Sequence, residues 1–279
     1  MVMTNWEHSA SHRLPVKPAR ERTIYEIREL DGTAELSESY RLRYEVYGTL
    51  GYIRHANRSK LEIDGYDSRS IPYGAFAPIS GAMIGTLRLI TTERQPAHDR
   101  SIRHLLVELD DEELTMQALA PRSHSLPSII SDEMDRRIEA FNTERFVVHE
   151  MSRLIVHPKY RGSSVLRGLV ELGLAHAARL GPAVVIGSCL PMHLPLYARF
   201  GCQQLPHTGL ERFDSVGQIA NMVVCRTDKL PPPTQGHVDE LLRSMESGAT
   251  ECTFETGRDS SVRYRIAPLR RARRLTEES

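Results

Sequence analysis

The chain predicts an α/β protein, and three stretches carry that expectation. Phe146–Val156 is dominated by Val, Ile, Leu and Phe and stops before Pro158, as a strand buried on both faces would. From Ser164 the apolar residues Val165, Leu169, Leu172, Leu174, Ala175, Ala178 and Leu180 recur at helical spacing until Gly181-Pro182 ends the pattern. Ala183–Gly187 then forms a short buried strand, and Pro191–Phe200 a short helix stopped by Gly201.

The remaining elements follow in chain order. Residues 1–22, with Pro15, Pro18 and scattered basic residues, are expected to be a flexible arm. The domain opens at Thr23, where Ile24–Arg28 alternates as a strand. After Thr33, a suitable N-cap, Leu36, Tyr40, Tyr44, Tyr47 and Leu50 mark one helical face. Arg43 lies beside that face, one turn from Tyr47, so the two can line one cleft; the plain alternative is core tyrosines and an Arg–Glu ion pair. Asp64-Gly65-Tyr66-Asp67 is a good turn sequence, whose carboxylates can also orient an amine or pair with Arg88, in the strand Ile84–Ile90, or with Arg153. Between Glu93 and Glu144 the periodicity is uneven, and Asp132–Phe141 is the clearest helix.

Beyond the strand Asn221–Thr227, residues 23–228 end as a domain and 229–235 make a proline-rich linker. The extension 236–279 contains a helix, Val238–Met245, and two strand-like runs, Cys252–Glu255 and Val262–Ile266, joined by Gly257. It is basic, with Arg263, Arg265, Arg270, Arg271, Arg273 and Arg274, which suits an acidic partner, a solvated tail or an oligomer contact.

Composition excludes several classes. Lys and Arg (36) balance Asp and Glu (36), which argues against a nucleic-acid binder working by phosphate neutralisation. With 279 residues and 40% hydrophobic content, one large α/β domain with additions has a sizeable core. No run reaches the apolar length of a membrane span and the polar start is no signal peptide. The four cysteines, Cys189, Cys202, Cys225 and Cys252, are scattered without a Cys-x-x-Cys pair; no metal is expected, and a reducing cytoplasm is. His149-Glu150-Met151-Ser152-Arg153 lacks the second His of a zinc protease motif.

Glu150 carries the chemistry most directly. A carboxylate on an apolar strand is costly to bury unless it is paired or has a raised pKa, and a base near neutral pH needs the latter. A buried Glu150–Arg ion pair without chemistry is the competing reading. On a flat strand Glu150 and Arg153 face opposite sides, so a shared cleft demands a bulge between them. The loop His157-Pro158-Lys159-Tyr160-Arg161-Gly162-Ser163-Ser164 joins this strand to the following helix, whose first N–H groups can hold an anion; capping by the serines is the simpler alternative.

Taken together, these motifs resemble the GNAT-like N-acyltransferases, in particular the N-acyl amino acid synthases and acyl-homoserine lactone synthases. Arg43-Tyr44-Glu45-Val46-Tyr47, the pair Asp64 and Asp67, Arg88 and Glu150-Met151-Ser152-Arg153 stand in the order found in those families, and the resemblance runs from about Ile24 to Thr227. It implies a mixed twisted sheet flanked by helices, with a small C-terminal extension outside it. The donor loop departs from the family's Arg/Gln-x-x-Gly-x-Gly/Ala, with Ser164 and Leu166 at the glycine positions. Bulkier residues suit the single phosphodiester of an acyl-phosphopantetheine thioester on acyl carrier protein better than coenzyme A.

The resemblance further implies roles: Glu150 as general base, Arg153 with it, Tyr197 protonating the leaving thiolate, and an ion-pair network of Arg43, Asp64, Asp67 and Arg88 around an acceptor site shared with Tyr47 and Ser152. Backbone N–H groups around Leu154, Ile155 and Val156 would receive the oxyanion, and Arg161, Gly162, Ser163 and Ser164 the donor phosphate. The phenol is a plausible acid because unperturbed tyrosine and thiol pKa values lie near each other; a tyrosine packed on the core is the alternative. Cys189 as an acyl-accepting thiol is set against an ordinary core cysteine. The insertion at 93–144 would cover an acyl tunnel. The expected activity is transfer of a long-chain acyl group from acyl carrier protein or acyl-CoA to a small amine such as an amino acid. The alternatives are a lactone synthase, an acetyl-CoA acetyltransferase or a silent binding module.

Overall fold

The structure, a computed structural model, describes residues 23–53, 56–91, 96–121, 124–129, 131–143, 145–179, 181–205, 210–213, 218–256 and 260–266. The expected arm, the Gly257 joint and the four last arginines lie outside the described residues. Strands β1 (Thr23–Glu29), β2 (Ser70–Phe76), β3 (Met83–Ile90), β4 (Val147–Val156), β5 (Ala183–Cys189), β6 (Gln203–Gln204), β7 (Leu210–Phe213), β8 (Gln218–Arg226), β9 (Glu251–Glu255) and β10 (Ser260–Arg265) form one mixed sheet. Its order is β6-β8-β5-β4-β3-β2-β1-β10-β9, with β7 also on β8. β4 runs parallel to β5 and β1 parallel to β10; the other pairs are antiparallel.

Side chains leave a strand alternately to its two faces, and both faces here are covered. Leu87 and Leu89 of β3 and Val185 of β5 pack with helix α5 (Val165–Ala178), joined by Val238, Leu241 and Met245 of helix α7 (Pro232–Ser247). On the other face Phe76, Met83 and Ile155 meet helices α1 (Gly32–Thr49), α2 (Pro96–Leu109) and α3 (Glu112–Leu119). Val148, Val184 and Ile186 meet helix α4 (Asp132–Thr143) on that face as well. A short helix, α6 (Leu194–Ala198), follows β5.

Several expectations change. The segment read as a linker at 229–235 turns into helix at Pro232, because proline at a helix's first position sacrifices only an N–H that has no intrahelical partner. That helix runs to Ser247 and closes on Gly248, which takes the left-handed conformation at φ 74°. The extension is no separate appendage: α7 lies on α5, and β10 extends the sheet beyond β1. In α1 the N-cap position is Asp31 rather than Thr33, and Leu36, Ser39, Tyr40, Leu42, Arg43 and Val46 face inward, while Leu50 is 47% exposed. Arg43 goes inside because Asp67 waits there as its partner. The uneven stretch after Glu93 contains α2 and α3 ahead of the expected helix at Asp132.

Candidate active site

Pairing between β4 and β5 extends from Val147↔Ala183 to Glu150↔Ile186 and then ceases. A Cβ on Gly187 would lie 2.9 Å from the Met151 carbonyl oxygen, so the β5 backbone approaches β4 too closely for any side chain at the point where pairing stops. Beyond it a cavity of about 980 Å³ opens, walled by β4, β5, α5, α6 and the loop before α5. Its apolar wall includes Leu87, Val170, Leu174, Val185, Phe200 and Val223.

The β3–β4 register steps from Thr86↔Ile155 to Arg88↔Ser152, so Arg153 and Leu154 together oppose Leu87. This is a bulge, with Arg153 at φ 55°, a conformation few residues with a Cβ adopt. It begins after Ser152, within the interval the sequence reading required, and it lets Glu150 and Arg153 line the same cavity. Leu154, Ile155 and Val156 line it too, but Ile155 and Val156 keep their register with Thr86 and Gly85; only Leu154 of the three falls in the bulge.

Glu150 is buried and its carboxylate accepts two hydrogen bonds from Ser128, from N at 2.8 Å and Oγ at 2.9 Å. Burial pushes its pKa up to about 7, against the lowering effects of those hydrogen bonds and of Arg88 and Arg153. Ser128 belongs to the insertion and was invisible to sequence reasoning, because no local pattern connects it to a residue 22 positions on.

Behind Arg153 stands a network of three guanidiniums and three carboxylates. Arg88 grips Asp64 with two bonds, 2.6 and 3.0 Å, lies 3.0 Å from Asp67 and donates from Nε to Ser152 Oγ at 3.0 Å. Arg153 donates to Asp64 and Glu62, each at 2.8 Å, and Arg43 donates to Asp67 at 2.8 Å. Burial alone would raise the pKa of Asp64, but Arg88 and Arg153 hold its carboxyl well below the usual range. The Asp-Gly turn is also present: Asp64 Oδ1 accepts from Tyr66 N and Asp67 Oδ2 from Asp64 N. Arg43, Asp64, Asp67 and Arg88 therefore do not line the cavity as expected; they brace Arg153, which does. Glu62 was missed, although Leu61-Glu62-Ile63-Asp64 alternates apolar and acidic residues and so puts both acids on one side.

The remaining expected residues divide in the same way. Tyr47, Ser152, Tyr197, Arg161, Gly162 and Ser163 line the cavity, whereas Ser164 does not. Ser163 Oγ donates to the Tyr160 carbonyl at 2.6 Å, and Ser164 occupies the N-cap of α5 without a side-chain capping bond. Tyr47 lies under the Arg153 guanidinium, 5.7 Å from ring centre to Cζ. Burial, then Cys189 and Cys202 nearby, raises the pKa of Tyr197, so its parity with a thiol is lost and its phenol stays protonated. Cys189 is likewise pushed up, to about 11, chiefly by burial, which keeps it a neutral thiol and a poor nucleophile. Among the described residues no group of His, Cys, Asp and Glu can hold a metal, and no helix is long and apolar enough to cross a membrane.

Comparison with known proteins gives the arrangement a context. The family described as "N-acyl amino acid synthase FeeM" matches residues 38–223. A search of curated proteins returned no match. Among solved structures, FeeM, an N-acyl amino acid synthase from uncultured soil microbes, is 15% identical, with 72% of this chain and 88% of that chain covered and a TM-score of 0.49. BjaI, a CoA-dependent acyl-homoserine lactone synthase, is 14% identical over 78% of this chain and 90% of its own, at 0.46. A putative N-acetyltransferase from Lactobacillus plantarum is 14% identical over 73% and 99%, at 0.44. With two thirds of its length matched to that family, this chain is an acyltransferase of GNAT-like fold and belongs to the N-acyl amino acid synthase family.

Proposed function

We propose that the protein transfers a long-chain acyl group from a pantetheine thioester, on acyl carrier protein or coenzyme A, to the amine of an amino acid or a similar small amine. The observation that carries this reading is Glu150: a buried carboxyl with a pKa near 7, at the point where β4 and β5 part and beside the bulge at Arg153. An ammonium group becomes a nucleophile only after losing a proton, and Glu150 takes it directly or through one water. The neutral nitrogen forms a bond to the thioester carbonyl carbon, whose oxygen gathers negative charge opposite the Leu154 N–H. Collapse breaks the carbon–sulfur bond, the proton shed by the attacking nitrogen passes to the departing thiolate while the Tyr197 hydroxyl hydrogen-bonds to it, and Glu150 returns its own proton to water. Arg153, fixed by Glu62 and Asp64, shapes the acceptor side with Tyr47 and Ser152.

The apolar wall from Leu174 to Val223 suits a hydrocarbon chain, and the Arg161-Gly162-Ser163 turn suits the phosphate of the pantetheine arm. Cys189, Cys202, Cys225 and Cys252 are all free, which fits a reducing compartment, and we assign the protein to the cytoplasm. Mass spectrometry of lipid extracts and medium from cells producing the protein, against an Arg153→Ala control, tests the reading. A long-chain N-acyl amino acid absent from the control is expected. A lactone would replace the acceptor assignment, and a product set identical to the control's would overturn acyl transfer.

A further inference from the structure

The C-terminal segment, beyond the residues matched by the family, reaches the donor side of the cavity through one buried acid. Glu171, in the second turn of α5, is fully buried and receives partners from three elements. Arg167 Nε of α5 donates to it at 2.8 Å, Tyr264 OH of β10 donates at 3.2 Å, and His237 Nδ1 of α7 lies 3.0 Å from both carboxylate oxygens. His237 is itself stacked on Phe254 at 4.8 Å, and Phe254 meets Tyr264 edge-on at 5.4 Å. A Cβ on Gly168 would come within 2.3 Å of Ile27 Cδ1 and 3.0 Å of Val262 Cγ1, so the first turn of α5 is pressed against β1 and β10 and has little freedom to shift.

Withdrawing a carboxylate from water is a poor way to glue a core, since apolar residues of the same volume commonly do as well or better. What the carboxylate achieves here is direction. It engages Arg167 through Nε, leaving the two Nη groups of the guanidinium for another acceptor, and the Arg167 side chain remains 34% exposed on the cavity wall near Arg161, Gly162 and Ser163. Among the described residues lining the cavity Glu150 is the one acid, and it lies on β4, away from this end. The donor end thus presents two guanidiniums and the N-terminus of α5, and the one carboxylate paired there, Glu171, lies buried behind Arg167 rather than on the cavity wall, which leaves a surface for a phosphate.

We propose that Glu171 is a positioning residue through which His237 and Tyr264 of the C-terminal segment hold Arg167 against the phosphate of the donor's pantetheine arm. This rests on the thioester donor proposed above. The full chain and its Glu171→Gln and Arg167→Gln variants are compared with two donors of equal acyl length, acyl-4′-phosphopantetheine and acyl-pantetheine. The ratio of their kcat/KM values isolates the phosphate. That ratio is expected to fall about tenfold in both variants, mostly through KM, the size of one lost charge-assisted hydrogen bond. A purely structural role would lower turnover of both donors in parallel, and an unchanged ratio overturns the proposal.

A binding arm stands apart from catalysis. Calorimetry of 4′-phosphopantetheine against pantetheine should show a preference for the former that Glu171→Gln diminishes. Equal binding of the two by the unaltered protein overturns the proposal even if acyl transfer is active; a preference seen in a protein that transfers nothing would instead separate this site from the proposed reaction and support it. Acyl carrier protein and acyl-CoA distinguish the sources of the phosphate. Loss with both is expected; loss confined to acyl-CoA would mean that Arg167 reads the nucleotide phosphates, and would overturn it.

Discussion

Asp64 and Glu150 are carboxyls of one site, largely withdrawn from water, and their protonation behaviour is opposite. Asp64 is gripped by Arg88 and Arg153 and held ionised far below the usual range. Glu150 has a neutral partner, Ser128, and burial brings it to about 7. The same desolvation acts on both; the charge of the group facing each decides the outcome. One acid thereby becomes framework, the other a proton acceptor matched to neutral pH.

The largest effect should come from removing the acceptor. Glu150→Gln is expected to reduce transfer by about 10²- to 10⁴-fold at neutral pH, the usual span for a lost general base, with the thermal midpoint little changed. In the parent protein the rate should fall as pH drops below about 7, because the proton-accepting form disappears. Stability gives a sign test. Since the folded state raises the pKa of Glu150 above its ordinary 4.5, its contribution favours folding below that value and is lost as pH rises through about 7. Asp64, lowered from 3.8, contributes above that value and loses its contribution as pH falls below it. Urea titrations across pH should show the first slope vanish in Glu150→Gln and the second persist.

Next in size, Arg88→Met leaves Asp64 and Asp67 short of a buried partner and should cost about 3–5 kcal/mol in denaturant unfolding, typical of one partner removed from a buried pair. A loss below about 1 kcal/mol would mean that the network is a solvated cluster, and the contrast with Glu150 would collapse. Ser128→Ala sharpens the contrast by removing one hydrogen bond to the ionised form. The acid limb of the pH–rate profile should move upward by roughly one unit, with little loss at high pH. The smallest effect, roughly tenfold or less on kcat, is expected for Tyr197→Phe, because a phenol with a raised pKa serves by hydrogen bonding more than by releasing its proton; single-turnover kinetics with a thioester donor would measure it.

Local chemistry made much of this site readable. Alternation and apolar runs located β4, β5 and α5, and the spacing of Glu150 and Arg153 demanded a bulge, because period-two geometry has no other way to bring them to one cavity. The turn chemistry of Asp64–Asp67 was legible for the same reason. Burial of Arg43 was not, since a helical stripe ranks residues by polarity and cannot register a carboxylate waiting across the core. Nor was Ser128, whose role depends on the insertion folding back over β4. The C-terminal segment was misjudged because three successive prolines suggest a stiff spacer, yet also begin a helix well, and tertiary packing chose the latter.

The parallel seam between β1 and β10 has a consequence for synthesis. Thr23 pairs with Ser260 and Arg28 with Arg265, so the early strand waits for a neighbour made roughly 237 residues later, about 12 to 47 s at ordinary ribosomal speeds. Until then β1 carries an open edge, with Ile27 lacking Val262 and Tyr264 as cover. A nascent chain stalled or clipped before Ser260 would expose a sticky margin, and such fragments should collect in inclusion bodies or on chaperones.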